Sequence, residues 1–349
     1  MPQSFDALII GAGIIGLTLA LELRDTGMSV AVLERNQPGR EATWASAGML
    51  SRPDHHTPEE LHEMAEWSCD LYPAFVRHLT EITGADCSYD DSGAFFVSPE
   101  RLPAWDEFEV SRPEIGNIEP QLAATAGHIY RLRDASVDPR VLTQVLLSAC
   151  RKRAVEVHHQ HPVTELISNG QAIVGVHTPA GEFHAPIVIN CAGAWTSELS
   201  RIPVEPVKGQ IFAVVPSRPC LKHIVRSDDI YIVPRRDGRI VIGATVERVG
   251  YDKRVLPDVI QLMHQHAARL VPELGEARIA DAWAGLRPAA PDELPVMGAS
   301  QILAGYFIST GHFRNGVLLA PANAKLVTQL ILGSALDLDI GAFSPARFA

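Results

Sequence analysis

The chain has 349 residues, with 41 acidic against 30 basic side chains and a formal net charge of −11. That length exceeds what one hydrophobic core usually serves, so two structural units are expected; the acidic balance disfavours phosphate-backbone binding and predicts no nucleic-acid partner. Five cysteines (Cys69, Cys87, Cys150, Cys191 and Cys220) are odd in number and lack CxxC spacing, which argues against a disulfide framework or zinc knuckle and predicts a reducing cytoplasm.

At the N-terminus, MPQSFD lacks a basic n-region, and the first apolar run is needed as a strand, so no secretory signal is expected. Asp6–Ile10 reads as that strand, followed by the tight turn Gly11-Ala12-Gly13-Ile14-Ile15-Gly16 and by leucines at helical spacing over 14–24. Gly11 permits the turn, Gly13 lets backbone approach a pyrophosphate, and Gly16 with Ala20 lets the helix pack closely on the strand. Phosphates suit the helix N-terminus, where unpaired N–H groups and the dipole favour negative charge. A second strand, Ser29–Leu33, ends at Glu34, at the distance where a carboxylate reaches ribose hydroxyls.

Residues 58–83 read as one long helix or as two meeting before Pro73, and Ser88–Val97 as short strands. A helix over 138–150 runs into Arg151-Lys152-Arg153, cations that suit its C-terminal dipole. His158-His159-Gln160-His161 puts two imidazoles on one strand face, but no neighbouring carboxylate or thiol completes a site, so no metal is expected. Ala185–Cys191 is an apolar run that stops at Ala192-Gly193, small residues across which a ligand can lie. Val204–Val246 reads as short strands punctuated by Pro and Gly, with a hairpin over 230–244 turning at Asp237-Gly238, and a helix follows over 255–271. Gly305–Thr310 is strand-like and enters Gly311-His312-Phe313-Arg314-Asn315-Gly316, then an amphipathic helix. Pro321, Asn323, Lys325 and Gln329 interrupt that last run, and no membrane span is expected.

Three separated glycine-rich stretches that share one site point to FAD more than to NAD, whose sites use one contiguous doubly wound unit. The second helix N-terminus, after Gly311–Gly316, suits the negative charge that builds near N1 and O2 of a reduced isoalloxazine. The expected fold class is α/β: a discontinuous Rossmann-like FAD-binding domain (1–84, 138–202 and 286–349) and a substrate-binding domain of mixed β-sheet plus helices (85–137 and 203–285).

Around these motifs, Val204-Glu-Pro-Val-Lys-Gly-Gln210, Tyr231-Ile-Val-Pro-Arg235, Gly238–Thr245, Trp283-Ala-Gly-Leu-Arg-Pro288 and Gly311–Pro321 closely resemble the glycine oxidase (thiamine-biosynthesis) branch of the D-amino-acid oxidase family, in the family's order from about residue 6 to about residue 333. The resemblance implies FAD contacts at Ile14, Ile15, Glu34, Arg35, Ala42, Thr43, Ala47, Gly48, Met49 and Val163, and along His312, Phe313, Arg314, Asn315, Gly316, Val317 and Leu318. It also implies a carboxylate-binding Arg287, a substrate contact from Tyr231, a further substrate or flavin contact from Arg314, and a homotetramer. No cysteine occupies 311–318, so FAD is expected to be non-covalent.

In such an enzyme the α-hydrogen of an amino acid leaves as hydride to the flavin, and the protein holds the carboxylate in a near-attack pose. The planar fork of arginine suits that task through two parallel charge-assisted hydrogen bonds. No general base is assigned, because the neutral amine can form by proton loss to solvent. Lys208 is weighed as an oxygen-activating cation against the commoner strand-edge lysine. Four positions depart from the family pattern: Val246, Asp229, Ala289 and Glu293. A smaller Val246 widens a pocket; Asp229 repels a carboxylate or attracts an amine.

The expected activity is oxidation of glycine or a similar small amine (sarcosine, D-alanine) to the imine, with O2 reduced to H2O2. Hydrolysis of glycine's imine gives glyoxylate and ammonia, or the imine enters thiazole synthesis. The alternatives are a D-amino-acid or proline-type dehydrogenase that passes electrons to a quinone or partner, and a flavin-binding subunit of a larger complex. The acidic balance counts against a tRNA-modifying relative. The expected partners are a small amino-acid substrate, O2 and further copies of the chain, with no membrane.

Overall fold

The computed structural model describes residues 3–54, 57–122 and 127–348. Its organising element is a six-stranded sheet in the order Val296–Ala299, Tyr306–Thr310, Ile187–Asn190, Ala7–Ile10, Val30–Glu34, Glu156–His159. All neighbours are parallel except the antiparallel edge strand Val296–Ala299. Ala7–Ile10 and Val30–Glu34 are buried along their whole length, which is why their sequences are continuous apolar runs without alternation. Ala7, Ile9, Val30 and Val32 face a helical layer, Ile14–Asp25, His62–Thr83, Pro139–Lys152 and Gly316–Leu332. Leu8, Ile10, Ala31 and Leu33 face a four-stranded sheet built from Gln3–Ser4, Gly181–His184, Ile173–Thr178 and Glu165–Ser168. That small sheet has no counterpart in the expected elements, because its strands are too short and too mixed in polarity to show a period.

The expected helices form with shifted ends. Asp138 caps Pro139–Lys152, its carboxylate accepting from the N–H groups of Arg140 and Val141. His62–Thr83 is one helix that runs through Pro73. The helix Gly316–Leu332 also contains a proline, Pro321, which has no N–H to donate to Val317 O four residues earlier. Helix His62–Thr83 supplies the missing donor: Tyr72 Oη donates to Val317 O at 2.6 Å. Beside it, Ser68 Oγ donates to Leu318 O at 2.6 Å and accepts the Ala322 N–H at 3.4 Å. Among the described residues, no helix is long and apolar enough to cross a membrane.

A seven-stranded sheet carries the rest of the chain, in the order Arg278–Ala289, Glu205–Val215, Ile240–Gly243, Tyr231–Pro234, Ile224–Arg226, Ala94–Ser98, His128–Leu132. The hairpin turns at Asp237-Gly238 as expected. Residues alternate across this sheet: Phe212, Val214, Ile232 and Ile242 pack under helix Pro257–Leu270, whereas Ile211, Ala213, Val233 and Trp283 face the short helix Ala42–Ala45. The expectation of short strands over 204–246 fails at Glu205–Val215, an 11-residue strand paired with the 12-residue Arg278–Ala289. Pro206 lies near the strand's start and Gly209 makes room for a side chain, so neither ends it. The boundary expected at 285/286 cuts this ladder, leaving Arg287 on the seven-stranded sheet.

Tyr72→Phe removes the hydroxyl that satisfies a buried carbonyl. It is expected to lower unfolding free energy by about 1–3 kcal/mol, measured by chemical denaturation of the holoprotein.

Candidate active site

The parallel sheet sets the three glycine stretches side by side, because the strands ending at Ile10, Asn190 and Thr310 are neighbours and Cys191 N donates to Ile10 O at 2.9 Å. Gly11 adopts φ +104°, and a Cβ there would lie 2.5 Å from Cys191 O. The glycine thus permits both the turn and the contact between stretches. Glu34, 8 % exposed, accepts from Ala12 N and Asn36 N, each at 2.9 Å, so its carboxylate is fixed beside the turn with lone pairs left for hydroxyls. Helix Ile14–Asp25 begins without a side-chain cap; Ile14 N donates to Thr43 Oγ1 at 3.0 Å, and Gly13, Ile14 and Ile15 line the cavity. An open helix start of this kind accepts an anion.

Beyond the turn, the Arg35 guanidinium lies 3.5 Å from the Trp195 ring centroid and pairs with Glu41 at 3.2 Å. Glu41 also pairs with Lys253 at 3.0 Å, and Tyr251 packs on Trp195 and donates to Ala194 O at 3.0 Å. Residues 251–253 therefore clasp this end of the cavity.

The opposite wall is the seven-stranded sheet. The pairs Val207–Arg287, Gly209–Gly285 and Ile211–Trp283 lie on one face of the long ladder, and Tyr231 joins them through its partner Gly243. A Cβ on Gly209 would lie 2.4 Å from Arg287 Nη1, and one on Gly243 2.7 Å from Tyr231 Oη. Both polar groups thus occupy space that only glycine leaves. Arg287 donates to Thr245 O at 2.9 Å and Lys208 O at 3.3 Å. Burial pushes its guanidinium down from the ordinary value, and the Tyr231 hydroxyl, hydrogen-bonded to it, acts the other way. No carboxylate among the described residues forms an ion pair with it, so the cavity wall holds a half-buried cation that lacks its anion.

The third wall is the loop Gly311–Gly316. Phe313, at φ 44°, donates its N–H to Pro288 O at 2.9 Å, which ties the loop to the end of the Arg287 strand. Helix Gly316–Leu332 begins here, again without a side-chain cap. His312 is buried; its Nε2 donates to Asn323 Oδ1 at 3.0 Å, and Ser309 Oγ donates to the same oxygen at 2.8 Å. Burial drives the His312 imidazole down to about 4 against the Asn323 hydrogen bond, so it is neutral at neutral pH. Cys191 also lines the cavity, but burial pushes its thiol up to about 12 and leaves no thiolate.

The residues singled out in sequence converge on this one cavity: Gly11, Gly13, Ile14, Ile15, Glu34, Arg35, Ala42, Thr43, Ala47, Gly48, Met49, Val163 and the segment His312–Leu318, together with Tyr231 and Arg287. Gly16 is the exception. A Cβ there would lie 2.0 Å from Gly11 O, so the residue shapes the turn from behind and does not face the cavity. Lys208 also departs from expectation. It is 1 % exposed in the middle of the ladder, points away from the Gly209 and Ile211 face, and pairs with Glu247 at 3.4 Å. It is neither an edge lysine nor a cavity cation. Arg314 is exposed on its loop, 5.4 Å from the Phe313 ring centroid. The Asp229 side chain is 75 % exposed and 4.0 Å from His266 Nδ1, and Asp229 and Val246 both line the cavity.

His158 has a carboxylate neighbour after all, Glu156 at 3.1 Å. Among the described residues, though, no group of three or more His, Cys, Asp or Glu is placed to hold a metal. Unforeseen in sequence are the Arg35–Trp195 stack and a buried cluster in which Arg226 pairs with Asp54 and Asp134. Arg226 is 172 and 92 residues from those acids, so no local pattern announces them.

The family described as FAD dependent oxidoreductase (DAO) matches residues 6–330. A glycine oxidase of Pseudomonas aeruginosa is 34 % identical, over 97 % of this chain and 98 % of its own length. A bifunctional protein ThiO/ThiG of Trichormus variabilis is 36 % identical, over 98 % of this chain and 55 % of its length. The crystal structure of glycine oxidase from Geobacillus kaustophilus superposes with a TM-score of 0.91 at 30 % identity, covering 98 % of both chains.

Two outcomes follow from the site's geometry. Gly209→Ala displaces the Arg287 guanidinium and is expected to raise the KM for a carboxylate substrate roughly 10- to 100-fold, with kcat much less affected, in steady-state kinetics. His312 takes up its proton below about 6.5 in the unfolded chain and only near 4 in the folded one, so its contribution to stability is complete above 6.5 and lost as pH falls toward 4. Melting temperature is therefore expected to fall across that window, and more shallowly in His312→Gln.

Proposed function

The chain belongs to the FAD dependent oxidoreductase family, and from that membership we propose that it oxidises glycine, or a similarly small amine such as sarcosine or D-alanine, to the imine while O2 is reduced to H2O2. The observation that carries this reading is the half-buried Arg287 guanidinium, bonded to two carbonyls and a phenol and paired with no carboxylate among the described residues, in the wall of the cavity. FAD fits the other walls: two uncapped helix starts suit its anionic groups, and the fixed Glu34 carboxylate suits ribose hydroxyls. When bound, FAD supplies the acceptor for the substrate's hydride.

The chain's own work is placement. The fork of Arg287 takes the substrate carboxylate bidentately, the Tyr231 hydroxyl adds a third contact, and Arg314 closes over the site from its loop. No side chain is assigned as general base; the amine's proton leaves to solvent through the mouth. The neutral His312 adds no charge to the loop, leaving the second helix start and Arg314 as its positive groups. Glycine's imine hydrolyses to glyoxylate and ammonia, or, as the resemblance to the thiamine-biosynthesis branch supports, supplies a thiazole ring. Residues 1–84, 138–202 and 286–349 then serve FAD, and 85–137 and 203–285 the substrate, with Arg287 contributed across the boundary. Five unpaired cysteines support a cytoplasmic setting. The homo-oligomer rests on the resemblance.

Air-saturated peroxide assays of the yellow holoprotein with glycine, sarcosine, D-alanine and D-proline test the reading. Peroxide from glycine or sarcosine is expected, with kcat/KM reduced roughly 100-fold or more in Arg287→Ala. Flavin that bleaches without air yet yields no peroxide in air would replace the oxidase by a dehydrogenase, and no bleaching with any substrate would end the small-amine assignment.

A further inference from the structure

Both main-chain oxygens that hold Arg287 belong to one irregularity in the seven-stranded sheet. Glu205–Val215 pairs with Ile240–Gly243 as far as Ile211 and Gly243, and pairing resumes between Lys208 and Glu247, whose main chains exchange hydrogen bonds at 2.8 and 2.9 Å. Between those points Gly209 and Gln210 face Ala244, Thr245 and Val246, so the second segment carries one residue too many and bulges. At the bulge the Gln210 N–H donates to Thr245 Oγ1 at 2.9 Å. The hydroxyl takes a proton that a main-chain carbonyl accepts in a regular ladder, and Thr245 O is left to accept Arg287 Nη1 at 2.9 Å. Lys208 O, where pairing resumes, accepts the same nitrogen at 3.3 Å.

Side chains fix the bulge. Thr245 Oγ1 donates to Glu247 Oε1, which also accepts from Gln210 Nε2 at 2.9 Å, and Lys208 Nζ lies 3.4 Å from Glu247 Oε2. Gln210 is fully buried, and its Oε1 accepts the Leu256 N–H at 2.7 Å where helix Pro257–Leu270 begins. Burial pushes the Glu247 carboxyl up, but the Thr245 and Gln210 hydrogen bonds and the Lys208 charge outweigh it and hold the group below its ordinary value. Lys208, Gln210, Thr245 and Glu247 all stand behind the cavity lining, so their effect on a ligand passes through Arg287.

We propose that Glu247 and Thr245 are positioning residues: the Glu247 carboxylate fixes the Thr245 hydroxyl, the hydroxyl fixes the bulge, and the bulge aims the Thr245 carbonyl that orients the Arg287 guanidinium toward its carboxylate ligand. The inference deepens the proposed function and rests on its placement of the substrate carboxylate at Arg287.

The FAD-loaded protein is titrated with acetate, and the shift of the flavin absorption band gives Kd without turnover. Thr245→Val keeps the branched side chain and loses the hydroxyl; Thr245→Ser keeps the hydroxyl and loses the methyl. Thr245→Val is expected to raise the acetate Kd roughly 5- to 10-fold, and Thr245→Ser to leave it within about twofold of wild type. A side chain needed only for packing would give the opposite order. Lys208→Met with Glu247→Ala removes both charges together, so neither stays buried unpaired, and is expected to raise Kd by about the same factor as Thr245→Val. Adding Thr245→Val to that pair is expected to raise it no further, because the residues act in series. The proposal is overturned if Thr245→Val binds acetate within about twofold of wild type, if Thr245→Ser binds it more weakly than Thr245→Val, or if the effects of the charge pair and of Thr245→Val multiply. Failure of the proposed function reads differently: acetate affinity would then be the same in Arg287→Ala as in wild type.

Discussion

A positive charge partly withdrawn from water, with no ion-pair partner among the described residues, is the constraint from which the active-site side of this molecule follows. Arg287 is tolerable where it lies because two main-chain oxygens and a phenol share its protons, and those groups come from two strands and from the segment that follows a third. The ladder between Glu205–Val215 and Arg278–Ala289 must be long and in register for Lys208 O to reach it; a glycine must stand at 209 to leave it room, and another at 243 to leave room for the Tyr231 hydroxyl beside it. The opposite wall, with its open helix starts, then supplies a complementary preference for anionic groups. Cofactor and substrate are thus both recognised through negative charge, by different means: backbone N–H groups on one side, one guanidinium on the other.

The two halves are not independent. Phe313 N–H reaches back to Pro288 O, one residue past Arg287, so the loop that begins the last helix and the strand that carries the guanidinium share a hydrogen bond. Trp283 Nε1 donates to Ala45 O at 3.0 Å and ties the same strand to the short helix beside Thr43. A displacement of the Arg278–Ala289 strand therefore moves both cofactor-facing segments with it.

The first glycine turn was legible because strand, turn, helix and acid are contiguous, and each carries its own local period. The hairpin at Asp237-Gly238 and the helix after Asp138 announce themselves in the same way. Lys208 shows where such reading stops: the alternation that turns it away from Gly209 and Ile211 is visible only once Glu205–Val215 is known to be one strand, and Pro206 and Gly209 disguise that. Gly16 carries the right motif but works on the turn, since sequence spacing does not say which side of a glycine the ligand occupies. The acids around Arg226 were illegible for a simpler reason: charge pairs closed by tertiary structure leave no trace in spacing.

The hydroxyls of Ser68 and Tyr72 complete the opening of a helix that lies about 250 positions later in the chain. Until that late segment arrives, its donors on the early helix have no acceptors; until the early helix is docked, the late one begins with broken bonds at Pro321. During synthesis the nucleotide-facing turn at 11–16 therefore waits for nearly the whole polypeptide before its other wall exists. A chain interrupted before its last helix therefore has only part of the cavity in which to place the cofactor.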